Sequence, residues 1–427
     1  MPDVMAGLDW ANGTEIFEAL FTPAGRADPY SLYAALHDLG DSLVLPEQLI
    51  AVSYTAVNEL LRSPAFLVQD AARLDDIWPP WREHPALLQQ SILTTNDPEH
   101  ARVRSVVAGT FTPRRVAQLE PAIAVIADGL VAIMADEGAD GTPVDFMARF
   151  AYQLPVTVIC ELLGVPESDR AVFRPKARDL ARGIDFMSDM ETLAVADAAA
   201  LWMHQYFSQL AALRRAEPRD DLVGALVRAA DADRGADDGK SADAGRGAGG
   251  GMSDAELLAN LTLLMFAGFE TTTNLLGNGL QLILTRPDIE AALRSDELPV
   301  ADFVSEVLRY DAPVQASVDR WAPADAELCG QPVAAGTQLI AMIGAANRDP
   351  RRFASPDTFD PGRADAGALS FGAGPHYCLG ASLARLEAAV AFPLLLASFP
   401  KLAAAGEPVR RENFALRGFD QLPISVC

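Results

Sequence analysis

Residues 253–287, SDAELLANLTLLMFAGFETTTNLLGNGLQLILTRP, constrain what this chain can fold into more than any other stretch. Ser253, with Glu256 three residues on, forms a capping box that starts a helix. From Asp254 to about Leu284 apolar residues fall on every face, the pattern of a helix buried all round. At 1.5 Å per residue such a helix extends roughly 45 Å, long enough to cross a whole molecule. Pro287 forbids its continuation. Its most apolar part, residues 257–269, ends at Glu270 and falls short of the ~20 apolar residues a membrane span requires, so it reads as a core helix.

The rest of the chain must wrap that helix. Between residues 114 and 213 apolar residues recur mostly at helical spacing, which predicts packed helices. After Asp311 the texture changes to two extended stretches, VQASVDRWA and TQLIAMIGA, separated by the turn-like LCGQPVAAG. The fold class expected is therefore mainly α with a small β region. Residues 231–251, DADRGADDGKSADAGRGAGGG, hold no large apolar side chain and are expected to form a mobile surface loop. No internal repeat at solenoid spacing is visible.

Charge and cysteine usage exclude several classes. A net charge of -24, from 34 basic and 58 acidic residues, disfavours nonspecific binding to nucleic acid or anionic lipid unless a basic patch is local. Cys160, Cys329, Cys378 and Cys427 show no CxxC spacing, and four cysteines in 427 residues make no disulfide framework. The first twenty residues carry neither a basic n-region nor an apolar h-region. A cytoplasmic protein, bound neither to membrane nor to nucleic acid, is the expectation.

Chemistry concentrates at FGAGPHYC, residues 371–378. Gly372, Gly374 and Gly380 let the backbone turn tightly and approach something flat and bulky. Cys378 stands just before a predicted helix, whose orphan N–H groups would point at the sulfur and lower the thiol pKa. By itself this cysteine could be a metal ligand, a nucleophile or a small buried side chain.

The longer stretch FGAGPHYCLGASLARLE, residues 371–387, resembles the heme-ligand loop of the cytochromes P-450, the heme-thiolate monooxygenases. Phe371, Gly372, Gly374, His376, Cys378, Gly380, Ala384 and Glu387 all fall at that family's positions. The resemblance implies the family's fold, a single domain over residues 1–427 with the long helix crossing over heme b. It makes Cys378 the proximal thiolate ligand of the iron, with Phe371 packed near the sulfur. It sets Gly372 and Gly380, and Ala267 and Gly268 of the long helix, against the cofactor.

Further matches follow in the family's order. AGFETT, residues 267–272, puts an acid and a hydroxyl inside an apolar helix, where an unpaired carboxylate is costly. By resemblance the helix opens there beside bound dioxygen, Thr271 serves the oxygen chemistry, and Glu270, where Asp is commoner, relays protons from solvent. EVLR sets Glu306 and Arg309 on one helix face. The family buries that pair under the heme loop with an arginine of the following meander, here Arg363 in FASPDTFDPGR. His100, Arg104, Arg320 and His376 stand where the family clamps the heme propionates, by the charge-assisted bonds that carboxylates favour.

Resemblance also bears on partners and substrate. No nicotinamide or flavin fingerprint occurs, so electrons from NAD(P)H are expected through a ferredoxin reductase and a ferredoxin. Arg102, Arg104, Arg114 and Arg115, within an acid-free run in an acidic chain, are a candidate docking patch. Leu263, Phe266, Ala267, Ala316 and Val318 are expected to line an apolar pocket, with residues 74–85 and 178–190 as its lid. This suits a polyketide, macrolide, terpenoid or steroid-like substrate, free or tethered to a carrier protein. Peroxide-driven or nitric oxide chemistry on the same fold, and a non-catalytic heme sensor or carrier, are the competing readings. The Glu270 and Thr271 pair argues against both.

Overall fold

The computed structural model describes residues 12–46, 48–68, 90–183, 189–234, 251–317, 320–364 and 367–427. The central helix runs Asp254–Thr285, and both halves of the Ser253 and Glu256 capping box are made. Leu257, Leu261, Met265, Phe269, Leu276 and Leu280 are buried on it, and so are the polar Asn260, Thr262, Thr273 and Asn278. Helices Gln153–Leu163, Glu167–Arg182, Met190–Ala216 and Ala381–Ser398 enclose it. The helix breaks at Arg286, and Pro287 then opens the next one, Pro287–Arg294. Proline's missing N–H is no loss at a first helical position.

The small β region expected is present, but the two extended stretches each contribute less of it than their length suggested. A five-stranded sheet has the spatial order Ser42–Val44, Gln48–Ala51, Gln338–Ala341, Arg320–Trp321, Leu67–Val68. Gln48–Ala51 and Gln338–Ala341 pair in parallel, and the other neighbours are antiparallel. VQASVDRWA contributes only two strand residues, with Val318 and Asp319 outside the described residues. In TQLIAMIGA the strand stops at Ala341 and Ile343–Ala346 is helical. The turn-like LCGQPVAAG instead holds a hairpin, Ala326–Leu328 against Gln331–Val333. Cys329 (φ 48°) and Gly330 (φ 80°) make its two-residue turn, where both positions need the left-handed region.

The Gly, Ala and Asp-rich stretch starts later than residue 231. Helix Leu222–Arg234 carries its first four residues, and residues 235–250 lie outside the described residues. Arg215 ties the two flanks together, with Asp231 at 3.0 Å and Asp254 at 2.6 Å. Among the described residues Ala381–Ser398 is the one single helix long and apolar enough to cross a membrane, and it packs against the central helix and Val300–Tyr310.

Helix Val300–Tyr310 buries Glu306 and Arg309 completely. Arg309 donates Nε to Glu306 Oε2 (2.8 Å) and Nη2 to Oε1 (2.7 Å), a bidentate fork. Its remaining donors go to the carbonyls of Asn347, Pro356 and Thr358, so one guanidinium staples the segment that leads to the cysteine loop. Arg363 comes near without joining the fork. Its Nε lies 3.7 Å from Glu306 Oε1 and has no hydrogen-bond partner, while its other nitrogens bond the carbonyls of Ala354, Ser355 and Thr358. The Asp360 N–H supplies the further bond to Glu306, at 2.9 Å.

Removing one partner of such a pair strands a buried charge. Glu306→Ala is expected to destabilise the fold by about 3–5 kcal/mol in denaturant melts. Arg286→Ala, which breaks the exposed Arg286 and Asp288 pair, is expected to change stability by no more than about 1 kcal/mol. Equal small losses for both would mean that Arg309 holds nothing in place.

Candidate active site

The cysteine loop is shaped by two glycines with positive φ, Gly372 (70°) and Gly374 (67°). A Cβ on Gly374 would lie 2.6 Å from the Leu61 carbonyl oxygen, so only glycine lets the loop lie against helix Tyr54–Arg62. The Cys378 N–H closes the loop on Phe371 O at 2.9 Å. Helix Ala381–Ser398 begins three residues later, and the amides of Gly380 and Ala381 point at the sulfur.

The expected drop in thiol pKa does not follow. The side chain opens into a cavity, yet protein encloses the sulfur closely enough that burial raises the Cys378 pKa. The two amides and the Arg104 guanidinium pull it back only in part. Burial disfavours the charged form more than two amide dipoles favour it.

That cavity, of about 310 Å³, lies between the loop and the central helix. Phe371, Gly372, His376, Cys378 and Gly380 line one wall, and Leu263, Ala267, Gly268 and Thr271 line the other. Leu263, Ala267 and Thr271 recur every four residues, so they share one helical face. The helix is continuous through this stretch. Thr271 Oγ1 donates to Ala267 O at 3.0 Å, one turn back.

Two expected lining residues are elsewhere. Phe266 turns to the opposite side of the helix and is buried in the main core. Ala316 packs with Ile16, Tyr33 and Ile340 in a separate apolar cluster. Val318 lies outside the described residues, as do residues 74–85 and 184–188 of the two expected lid stretches, and Arg178 stands on helix Glu167–Arg182 with a bond to Asp420. Leu93, Phe111, Ile159, Val314 and Ile343 line the cavity without any signal in the sequence, because distant segments bring them there.

Cations gather along one edge. Arg104 and Arg320 line the cavity, and the rings of His100 and His376 lie 4.1 Å apart. Arg104 also donates Nη2 to Tyr377 O. His376 donates its Nδ1–H to Ile92 O (3.1 Å), and burial first, then Arg320 and His100, push its pKa down to about 3. His100 is buried, with Nδ1 3.4 Å from Asp97 Oδ1 and Nε2 without a partner. Such an edge favours a negatively charged group.

Glu270 is placed differently from Thr271. It is 0% exposed, does not line the cavity, and pairs with Arg411 Nη1. Arg411 Nη2 donates to the Tyr152 hydroxyl, at 2.5 Å. Neither Arg411 nor Tyr152 carries a periodicity or motif that would mark it from the sequence. Glu387, one of the loop's matched positions, is buried, and burial raises its pKa well above the usual carboxylate range.

Comparison with known proteins fits this geometry. The cytochrome P-450 family model matches residues 65–419. The cytochrome P-450 monooxygenase PikC of Streptomyces venezuelae is 37% identical, over 93% of this chain and 91% of its own. The vitamin D(3) 25-hydroxylase of Pseudonocardia autotrophica is 35% identical over 97% of both chains. Among solved structures, P450BioI in complex with hexadec-9Z-enoic acid ligated acyl carrier protein superposes with a TM-score of 0.83, at 30% identity, covering 95% of this chain and all of that one. A long buried helix facing a cysteine loop across one cavity, in a chain matched over most of its length, identifies a member of the cytochrome P-450 family of heme-thiolate monooxygenases, which work with heme iron and dioxygen.

Proposed function

We propose that this monooxygenase hydroxylates or epoxidises a medium-to-large apolar substrate, with Cys378 as the ligand of heme b. The observation that carries the reading is the placing of Cys378 and Thr271 on opposite walls of one mainly apolar cavity. The residues present fit the cofactor. The Nε2 of buried His100 lacks a partner that a propionate would supply, and Arg104, Arg320 and His376 stand along the same edge. Gly372 and Gly380 keep side chains off the wall, and Ala267 and Gly268 do so across the cavity. Bound there, heme supplies the activation of dioxygen, for which a thiolate ligand's electron donation favours O–O cleavage.

The chain's own residues do the rest. Thr271 offers a hydroxyl at the cavity wall, and Glu270, its neighbour in the chain, resupplies the proton. Leu263, Ala267 and the apolar residues facing them exclude water and hold the substrate. Glu306, Arg309 and Arg363 keep the loop folded. A polyketide, macrolide, terpenoid or steroid-like scaffold suits the pocket. The name vitamin D(3) 25-hydroxylase supports a free substrate and the acyl carrier protein complex a carrier-tethered one.

Electrons are proposed to come from NAD(P)H through a ferredoxin reductase and a ferredoxin in the cytoplasm, to residues 1–427 acting as one domain. The docking patch is narrower than its four arginines suggested. Arg102 pairs with Glu256, Arg115 with Asp220 at 3.2 Å, and Arg104 turns to the cavity. Arg114, exposed, is left as the cation of that run to present to an acidic partner.

Two measurements test the reading. Visible titration of the heme-loaded ferric protein with macrolides, terpenoids, steroids and fatty acids is expected to shift the Soret band from low to high spin for one class. Absence of any Soret band after heme supplementation would overturn the proposal. Thr271→Ala is expected to keep the heme spectrum but to divert electrons to hydrogen peroxide, with product per electron falling at least about tenfold, less than the ~100-fold or more that loss of a whole general acid costs. Unchanged coupling would remove Thr271 from the proton path.

A further inference from the structure

A second cavity, of about 390 Å³, opens toward the far end of the central helix, and none of its lining residues lines the cysteine cavity. Its walls come from distant parts of the chain: residues 24–30, the end of helix Asp254–Thr285 with Tyr310 and Asp311 beside it, and Arg410 and Arg417 of the C-terminal hairpin. Asn278, on its wall, lies seven residues beyond Thr271, about 10 Å along the helix axis. Small-molecule pockets run from roughly 300 to 1,000 Å³, and a few convergent polar groups fix the orientation of what they hold.

The charged groups on these walls are not equally occupied. Asp311 is saturated: Oδ1 accepts from the Tyr30 hydroxyl (2.5 Å) and Arg417 Nε (2.7 Å), and Oδ2 faces Arg410. Arg417 is held as fully, with its other nitrogens on the carbonyls of Arg26 and Ala27. Arg410 is held loosely. Its bonds are 3.3 Å long to Asp311 Oδ2, from Nη1 and from Nη2, and 3.4 Å long to Asn278 Oδ1, and its Nε has no partner among the described residues. It stacks on the Phe419 ring, which leaves its edge open to bonds in its own plane. Asp28 is the opposite charge in the same condition. Its carboxylate receives only the Tyr30 N–H, at 3.4 Å, and pairs with no cation among the described residues. The Gln281 amide and the Tyr310 hydroxyl also stand on the wall with no hydrogen-bond partner among the described residues.

Arg410 and Asp28 thus face one cavity without meeting. Arg417 stands between them, since it bonds both the carbonyl of Ala27, next to Asp28, and the carboxylate that Arg410 shares. We infer that this cavity is a binding site for a small zwitterion with separated charges, in its simplest form an aminoalkanoate, whose carboxylate lies on Arg410 and whose ammonium lies on Asp28. A guanidinium edge and a carboxylate match in two parallel bonds. Gln281 and Tyr310 add hydrogen bonds, and Ala24, Ala27 and Leu282 give the spacer an apolar wall. A simple anion would be repelled by Asp28, and a simple cation by Arg410, so the pair of charges selects a ligand that carries both. Bound there, the ligand bridges residues 24–30 to the hairpin, and so stabilises the folded chain.

The probes are β-alanine and the butanoate, hexanoate and octanoate that carry an amine on the last carbon, titrated calorimetrically into the heme-loaded full chain. One spacer length is expected to bind best and to raise the melting temperature. Its methyl ester and its N-acetyl derivative are each expected to bind at least about tenfold more weakly, the loss of one bond to a charged group. Asp28→Asn lies between helices Pro23–Ala27 and Tyr30–Leu39 and keeps the bond to the Tyr30 N–H, so the fold is retained. It is expected to weaken the zwitterion by the same factor and to leave the N-acetyl derivative as it was. Arg410→Gln is expected to weaken the zwitterion and leave the methyl ester as it was. Should Arg410→Gln fail to fold, Asp28→Asn and the two derivatives decide alone. The Soret band is expected to stay in place throughout, because the two cavities share no lining residue.

Plain alkanoates that bind as tightly as the zwitterion, with no response to Asp28→Asn, would make this an anion site and overturn the inference. A Soret shift that follows the binding curve would do the same, by placing the ligand in the cysteine cavity. So would the absence of both heat and melting shift for every probe at millimolar concentration. Calorimetry reads this site with or without heme, so its failure leaves the function proposed above untouched.

Discussion

A helix of 32 residues enclosed by its neighbours has no solvent to satisfy the polar side chains it carries. Some bond back to their own helix, as Thr273 does to Phe269 O, and others find partners on surrounding elements that locate the functional parts of the molecule. Asn260 accepts from the Ile92 N–H (3.1 Å), which fixes the segment entering helix Glu99–Thr110 with its His100 and Arg104. Asn278 donates to the carbonyls of Asp311 and Arg417 and so binds the far end to the C-terminal hairpin. Between these two anchors the same helix presents Ala267 and Thr271 to the cavity and Glu270 to Arg411. An unmet polar group in such a place costs about 1–3 kcal/mol, so this polar pattern fixes the helix's rotation as firmly as its leucines do.

The cysteine loop obeys a second constraint. Two amides and a guanidinium favour a thiolate at Cys378, while the enclosing protein opposes any charge there, and burial dominates. Coordination to a metal would resolve that conflict, because a coordinating thiol is deprotonated outright. The histidine edge shows the mirror image. Burial and neighbouring arginines hold His376 neutral, with a pKa near 3, in a place that an anion would stabilise. Thiol and cationic edge are each poorly served by protein alone.

Much of this was legible in the sequence, for identifiable reasons. The capping box and the all-round apolar pattern of residues 254–284 are local, and the helix follows them to within a residue. Glu306, Arg309 and Cys378 were legible through family motifs that keep residue and spacing together. Ala316 was not, because its burial depends on Ile16 and Tyr33, three hundred residues away in the chain. Phe266 was assigned to the wrong face because a helix apolar on every side offers no polar face against which to set the others. The short strands failed for another reason: in TQLIAMIGA the apolar run continues past Ala341, and only tertiary packing turns Ile343–Ala346 into a helix. Glu270 was found, but its partner Arg411 is 141 residues away and belongs to no pattern.

That partner belongs to a group of three arginines whose fates differ. Arg417 donates Nε to Asp311 (2.7 Å) and its other nitrogens to the carbonyls of Arg26 and Ala27, so it pins the C-terminal hairpin to the N-terminal helices. Arg410 shares Asp311 at 3.3 Å and lies over the Phe419 ring, 3.9 Å from its centroid. Tyr30 donates its hydroxyl to the same carboxylate, and together these partners hold the Asp311 pKa far below the usual range against the opposing effect of burial. Two of the three cations thus anchor the hairpin to a single acid that cannot leave. The third, Arg411, turns instead to Glu270 and the Tyr152 hydroxyl, so the same hairpin also grips the central helix.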